Sequence, residues 1–556
     1  VILDRKQEGV LLPSLVFFVD YCYNKLNTID YKKVAYMNWY PLINFTHYSL
    51  LKGFSKPTEL AKICADNNYP ACGIADYKTI SGCVSFFQSC KKSGIKPILG
   101  CSFDSNIIFA KNKNGWYDLI ELVSSLNEDG TIDRDFAVSI VDRKNLITVN
   151  NKNIKPSYYI KKEHADLHRI LLCSEAKSTL PKIQKSIKKN ELASDLLDYF
   201  THDDKYIIEG KSSKLLEEIY EQCEEYDILN KPMLPKFACP DGLSEEEYLK
   251  VLARKGWKDL LISTGKVKDP LKKQQYADRF NTELQVIKDA NLFGYFLIVQ
   301  DIIRHVRDSG WLSGPGRGSA AGCLISYLIG ITQIDPVEYD LLFERFYNAG
   351  RNSADHISLP DIDMDVPGKK RDDVISYLKD KYGHEHVSQM ITFGRLQGRS
   401  AIKEVLRVNE ACSFSEMNAI TKSVPNEAEI SDQLAEMDEE DRSIIRWALI
   451  NRPDELRDFC HVTDDGKLDG DYAPYFQQAI DIEGTFKTQG KHAAGVVISK
   501  EPLHKVCPMV KQRGSTEKIA GLEMADLEAL GHVKFDVLGI NLLDKLMKIK
   551  EFTNGE

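Results

Sequence analysis

Much of what would place this 556-residue sequence quickly is missing from it. No apolar run reaches the ~18 residues that a membrane span requires. The nearest thing to a secretory core, residues 10–19 (VLLPSLVFFV), is broken by Pro13 and Ser14 and is followed by no small-x-small cleavage site. Neither a membrane protein nor a secreted one is expected. There is no CxxC pair: the 13 cysteines are scattered and odd in number, which argues against structural zinc and for free thiols in a reducing cytoplasm. Excess positive charge is missing too. The net charge is −9, so any contact with nucleic acid has to come from a local basic face. Part of the negative charge is gathered in residues 427–441, where eight acids read as a solvated helix face or loop.

What is present is ordinary globular material, 43% hydrophobic and 28% charged. At roughly 100–200 residues per domain, the length suggests about three or four domains. The chain begins at Val1 rather than Met, and its first ~37 residues are read as an extension of unknown role. A βα rhythm then sets in. Ser55 is placed to cap a helix with Pro57 in its first turn, running to about Asn67. A buried strand over Ala71–Ala75 ends at Asp76, a helix over about Ile80–Ser93 stops at Gly94, and a second strand covers Ile95–Gly100. Residues 150–156 read as a loop, and residues 239–312 as helical, with Phe296, Val299, Ile303 and Val306 on one helix face that Gly310 terminates. Strand candidates follow at Ser358–Val366 and His532–Leu538, with a mostly helical, charged block over 395–480 between them.

Residues 359–365 read Leu-Pro-Asp-Ile-Asp-Met-Asp. Side chains two apart on a strand share a face, so Asp361, Asp363 and Asp365 crowd three carboxylates on one side. Like charges in a row repel unless something cationic sits there, and hard divalent cations such as Mg²⁺ take oxygen ligands of this kind. An acidic solvent face or a calcium loop is the alternative; an EF-hand is excluded by the missing Gly and closing Glu. In Val-Lys-Phe-Asp-Val-Leu (533–538), Lys534 and Asp536 share a face of an apolar strand, as either a surface pair or part of a ligand site. GPGRGSAAG (314–322) has the glycines and following helix of an anion cradle, or of a tight turn packed on a helix. It is not a P-loop, and Gly316-x-Gly318-x-x-Ala321 matches a dinucleotide fingerprint only loosely. Cys323 beyond it reads as packing.

With these residues the sequence resembles the C-family of bacterial replicative DNA polymerases. The resemblance is carried by GPGRGSAAG (314–322), DPVEYDLLFERF (335–346), LPDIDMD (359–365), ITFG (391–394), GKHAAGVVIS (490–499) and VKFDVLG (533–539), in that order, and spans roughly residues 38–556. It implies an α/β multidomain chain: a PHP-like β/α barrel, then a polymerase-beta-like nucleotidyltransferase palm (α+β) with an inserted helical thumb. The implied divisions are a degenerate PHP-like domain over 38–238, palm over 239–394 and 481–556, and thumb over 395–480. The implied catalytic and metal-binding carboxylates are Asp361, Asp363 and Asp536, holding two Mg²⁺ ions, with Asp365 spare. Gly318 and Ser319 are implied to bind the triphosphate of the incoming nucleotide, with Arg345 and Lys534 neutralising phosphate charge. Arg399, Lys403 and Arg407, four apart on one helix stripe, are the candidates for holding the DNA backbone; a solvated charged face is the alternative. Lys491 and His492 lie in a family motif near the palm, His492 in a structural role or against substrate.

The sequence departs from the family in two places. The PHP-like domain keeps YSLLKGFSKPTEL (48–60) and GIKPILGCSF (94–103), but its metal-ligand positions hold Ile43, Phe45, Tyr77 (after Asp76) and Ser102. Ile and Phe cannot ligate a metal, so no metal and no proofreading are expected there. His164 and His168, four apart, read as a surface helix pair. The chain also stops soon after Asp536, so fingers are expected to be absent. The expected partners are primer–template DNA, dNTPs and a separate fingers-bearing chain, with sliding clamp and exonuclease reached through regions not in this sequence. The setting expected is the cytoplasm of a bacterium or phage-infected host. The function expected is DNA-directed DNA polymerisation; a DNA-binding or assembly fragment without turnover is the alternative.

Overall fold

The structure, a computed structural model, describes residues 39–553 apart from 105, 128–129, 151–155, 208–212, 348–349, 351–358, 439–440 and 512–516. The extension 1–37, most of the loop at 150–156 and Ser358 lie outside the described residues. Mixed helix and sheet run throughout, and the chain divides into two compact units. The first runs to Ile228 and resumes over Thr392–Gly490; the second comprises Leu229–Ile391 and the chain from Lys491 onward. The described strands are β1 (Ala71–Tyr77), β2 (Lys96–Phe103), β3 (Asn106–Ala110), β4 (Leu146–Asn150), β5 (Asp363–Pro367), β6 (Val387–Arg395), β7 (His461–Val462), β8 (Leu468–Asp469), β9 (Phe486–Ile498), β10 (Met509–Lys511), β11 (Lys518–Ala520) and β12 (Val533–Ile540). Among the described residues no helix is long and apolar enough to cross a membrane.

In the first unit β1 to β4 form one sheet in sequence order, β1 parallel to β2 and the rest antiparallel. The resemblance implied a β/α barrel; among the described residues this sheet has four strands, and the parallel bridges Asn44 to Ser157 and Tyr159 to Tyr206 are isolated from it. The helix Cys83–Ser93 stops at Gly94, as its sequence predicts. The helix Pro57–Asp66 has no side-chain cap; Ser55 is instead buried in a bridge to Thr46, because the amide of His47 takes its carbonyl. His168 departs from its surface reading. It is 1% exposed, its Nε2 lies 2.7 Å from the Lys52 carbonyl, and burial brings its pKa down to about 4.

The helical block set apart by the sequence as 395–480 is continuous in packing with the N-terminal part of this unit. Ala401, Ile402, Val405 and Leu406 on the helix Arg399–Asn409 join one apolar core with Ile170, Leu171 and Phe476. Glu404 fastens the arrangement: it is buried and accepts hydrogen bonds from Ser174 Oγ, Arg407 Nη2 and Lys487 Nζ.

A six-stranded sheet in the order β10-β11-β6-β9-β12-β5 lies mainly in the second unit. The helices Glu245–Gly256, Phe293–Asp308 and Arg371–Tyr382 contribute Leu249, Phe296, Val299, Ile303, Val374 and Leu378 to its core. Alternation along the strands sets what faces them. Met364 and Val366 of β5, with Phe535 and Val537 of β12, are buried in that core. The residues between them, Asp363, Asp365, Lys534 and Asp536, therefore project from the opposite face. Burying one side chain such as Phe535 contributes about 1.5–3 kcal/mol, so register in this sheet is strongly held.

Candidate active site

The parallel pairing of β5 and β12 sets Asp536 directly beside Asp363. Asp361 lies two residues before β5 begins, not within a strand, yet its carboxylate joins the other two: ligand oxygens of Asp361, Asp363 and Asp536 all lie within 4.8 Å of one another. The buried OH of Tyr295 donates to the Pro360 carbonyl (2.8 Å), supporting the backbone that carries Asp361, and the Tyr295 ring stacks on Phe535 of β12.

Two cations answer the four acids. Lys534 Nζ is 2.7 Å from Asp536 Oδ2 and 3.8 Å from Asp361 Oδ1. Burial alone would lower its pKa, but the two carboxylates outweigh burial and hold it above the ordinary lysine value. Arg317, from the Gly-rich segment, sets its Nε 3.3 Å from Asp363 Oδ2 and 3.4 Å from Asp365 Oδ1. Burial pushes the Asp361 carboxyl up, with Asp536 adding to the rise and Lys534 opposing it. Asp365 is likewise raised by burial and by Asp363, against Arg317. Two buried carboxylate oxygens, Asp365 Oδ1 and Asp536 Oδ1, have no hydrogen-bond donor among the described residues. An all-oxygen set with unsatisfied acceptors fits a hard divalent cation.

The Gly-rich segment is tied to β5 where Gly314 N donates to the Asp365 carbonyl (3.0 Å). Gly314 has to be glycine: a Cβ there would sit 2.6 Å from Cβ of Asp365. Gly316 and Gly318 hold φ of +99° and +60°, left-handed conformations that favour glycine, on either side of an extended Arg317. Gly318 is exposed and Ser319 half-buried at the start of the turn Gly318–Gly322. The following helix differs from the anion cradle expected of it. The amides of Leu324 and Ile325 donate to the buried carboxylate of Glu283, which Arg279 pairs, so that helix end is already occupied from within. Cys323, read as packing, is fully buried and its Sγ accepts from Ser326 N.

Of the other residues named from sequence, Arg345 is exposed on the turn Phe343–Arg345, outside the ion pairs that join the carboxylates. Arg399, Lys403 and Arg407 do line one face of a helix, but their charged heads are engaged inside their own unit, on the Val424 carbonyl, on Asn418 Oδ1 and on Glu404 with the Ser178 carbonyl. Phosphate contacts by this stripe would have to break those bonds. His492 Nδ1 accepts from the amides of Ala494 and Gly495 (3.2 and 2.8 Å), which fixes its ring on the strand beside β12. Sequence reasoning missed Arg317, although it stands inside the quoted Gly-rich motif, and Glu283, whose pairing with Arg279 four residues away looks like any surface helix pair.

In the first unit the altered metal positions are filled. Ile43 and Phe45 are core residues, and Ser102 is buried. Asp76 accepts from Thr46 N (2.6 Å), Thr46 Oγ1 (2.7 Å) and Ser49 Oγ (2.6 Å), and Tyr77 OH donates to Asp104 Oδ1. Burial raises the Asp76 carboxyl to about 6 in spite of these donors. Its oxygens are thus spent on hydroxyls and an amide beside side chains that cannot ligate.

The family profile described as the bacterial DNA polymerase III alpha NTPase domain matches residues 247–539, more than half the chain, including all four acids and both cations. The chain belongs to the bacterial DNA polymerase III alpha family. A PHP domain profile matches residues 44–209. Curated relatives described as DNA polymerase III subunit alpha include those of Pseudomonas aeruginosa (28% identical, covering 92% of this chain and 48% of the relative) and Staphylococcus aureus (28%, 93% and 48%). That of Aquifex aeolicus is 27% identical, covering 91% and 51%. The chain therefore spans about half the length of the curated relatives it matches.

Proposed function

We propose that this chain carries the palm of a DNA-directed DNA polymerase, transferring deoxynucleotides from dNTPs to a primer 3′-hydroxyl in replication. In this reading a polypeptide corresponding to the other half of the relatives' length completes the enzyme with fingers. The observation that carries the reading is the β5–β12 register, which gathers Asp361, Asp363 and Asp536 in a chain of this family. These three residues would hold two Mg²⁺ ions, which when bound supply Lewis-acid activation of the 3′-hydroxyl and stabilise the leaving pyrophosphate. The protein's own contribution is placement and charge. Gly318 and Ser319 offer the triphosphate a turn whose first residue has no side chain to obstruct it. Lys534, already charged beside Asp536, neutralises phosphate next to the acids, and Arg345 is exposed to do so from the neighbouring turn. DNA binding without turnover by this stretch alone is the second reading, since the stretch spans about half the length of its relatives.

Primer extension with Mg²⁺ and dNTPs separates the two. Extension is expected when the chain is combined with the C-terminal half of a family member, and Asp363→Asn is expected to lower it by roughly 10²–10³-fold or more. No extension in any combination, with the proteins folded, would leave only the second reading.

A further inference from the structure

Arg317 has no part in the reading just given, yet it is the only side chain that bridges Asp363 and Asp365 among the described residues. Its contact is of a weak kind. The contacts are long, Nε lying 3.3 and 3.4 Å from the two carboxylates, and among the described residues Asp365 Oδ1 is left without a hydrogen bond. Its side chain is 47% exposed, where Lys534 on the neighbouring acid pair is 13% exposed at 2.7 Å. A divalent cation held by Asp363 would meet the guanidinium on the same carboxylate, and two cations on one carboxylate repel. The backbone around Arg317 is suited to release. Gly314 stays pinned to β5 by its bond to the Asp365 carbonyl, while Arg317 stands between two glycines in left-handed conformation. The residues directly after it are Gly318 and Ser319.

We propose that Arg317 is a positioning residue with two stations. Before metal enters it is the counter-ion of Asp363 and Asp365; once a divalent cation takes Asp363, Arg317 leaves the acids and binds the nucleotide's phosphates. Guanidinium suits both stations, since its planar donors match carboxylate and phosphate alike. The two stations give metal and nucleotide affinity opposite dependence on this one side chain. The inference rests on the polymerase reading for the identity of the phosphates.

The test measures Mn²⁺ binding to the full chain by electron paramagnetic resonance, then binding of dATP with Mg²⁺ present, without primer. Arg317→Met is expected to bind Mn²⁺ about three- to fivefold more tightly than the parent, as loss of a partly exposed competing ion pair implies. It is expected to bind dATP about tenfold more weakly, as loss of a charge-assisted contact implies. Arg317→Lys, which keeps the charge, is expected to hold Mn²⁺ affinity near the parent's while dATP binding still falls. Misfolding would weaken both ligands together, so the opposite signs separate it from the proposed role. Unchanged or weaker Mn²⁺ binding in Arg317→Met, with Asp363→Asn abolishing it in the parent background, overturns the two-station role and leaves the palm reading standing. Mn²⁺ binding that survives Asp363→Asn and Asp536→Asn alike overturns both.

Discussion

Asp76 and Asp363 are both aspartates on short strands, and their surroundings give them opposite chemistry. Asp363 opens β5 half-exposed beside two other acids and a loosely held arginine, so its charge is available to a ligand. Asp76 is 1% exposed, with Thr46 and Ser49 turned onto it. Its pKa of about 6 lies above the ordinary 3.8, so the folded chain binds that proton more tightly than the unfolded chain does. Stability of the first unit is therefore expected to fall as pH rises from about 4 to 6, and Asp76→Asn is expected to flatten the melting temperature across that window. A parent that melts no lower at pH 6.5 than at pH 4, relative to the variant, contradicts this. Spacing placed Asp363 and Asp365 on one face, since a two-residue period forces alternate side chains to one side; that Asp361, which precedes the strand, and Asp363 meet Asp536 rather than Asp365 came with the family motifs. Arg317 and the sealing role of Glu283 were not legible, because Arg317 meets its acids, and Glu283 the amides of Leu324 and Ile325, more than 40 positions away along the chain, and no local pattern records that.

At the scale of elements, the helix Arg399–Asn409 is a clip. Its apolar side joins the core of the first unit, and its charged side closes on Glu404, Ser178 and Asn418. The Glu404 carboxyl is buried, which alone would raise its pKa, but Arg407, Lys487 and Ser174 hold it down at about 2. A depressed acid contributes stability that is present above its ordinary pKa of 4.5 and lost as pH falls through about 2. Glu404→Gln is expected to cost about 1–3 kcal/mol near neutral pH, read by chemical denaturation, with the difference from the parent shrinking between pH 4.5 and 2. A constant difference across that range would rule out the ionised carboxylate as the source. The four-residue spacing of Arg399, Lys403 and Arg407 was readable from sequence; that their heads turn inward was not, because the groups they meet, Glu404 apart, come from elsewhere in the chain. Likewise the Gly-rich segment was recognised, but not that Glu283 seals the helix after it.

For the whole molecule, two cores confined to two units imply two unfolding steps. Ligand that binds only folded protein stabilises the part that binds it, by about 2.7 kcal/mol at a hundredfold excess over Kd. Mn²⁺ is therefore expected to raise the calorimetric transition of the second unit by several degrees and to leave that of the first in place; the reverse would move the metal site to the other unit. The family and the presence of a PHP-like part were legible because the motifs are local runs of residues. The sharing of one core by the N-terminal part and residues 392–490 was not, since it depends on which apolar faces meet. The sheet order has its own consequence. Among the described residues β5 pairs only with β12, and Asp363 and Asp536 are roughly 170 residues apart. During synthesis the first acids leave the ribosome with no neighbouring strand, and they wait for a late segment to slide between β9 and β5. A nascent chain halted anywhere before that segment lacks Asp536 and cannot gather the three carboxylates at all.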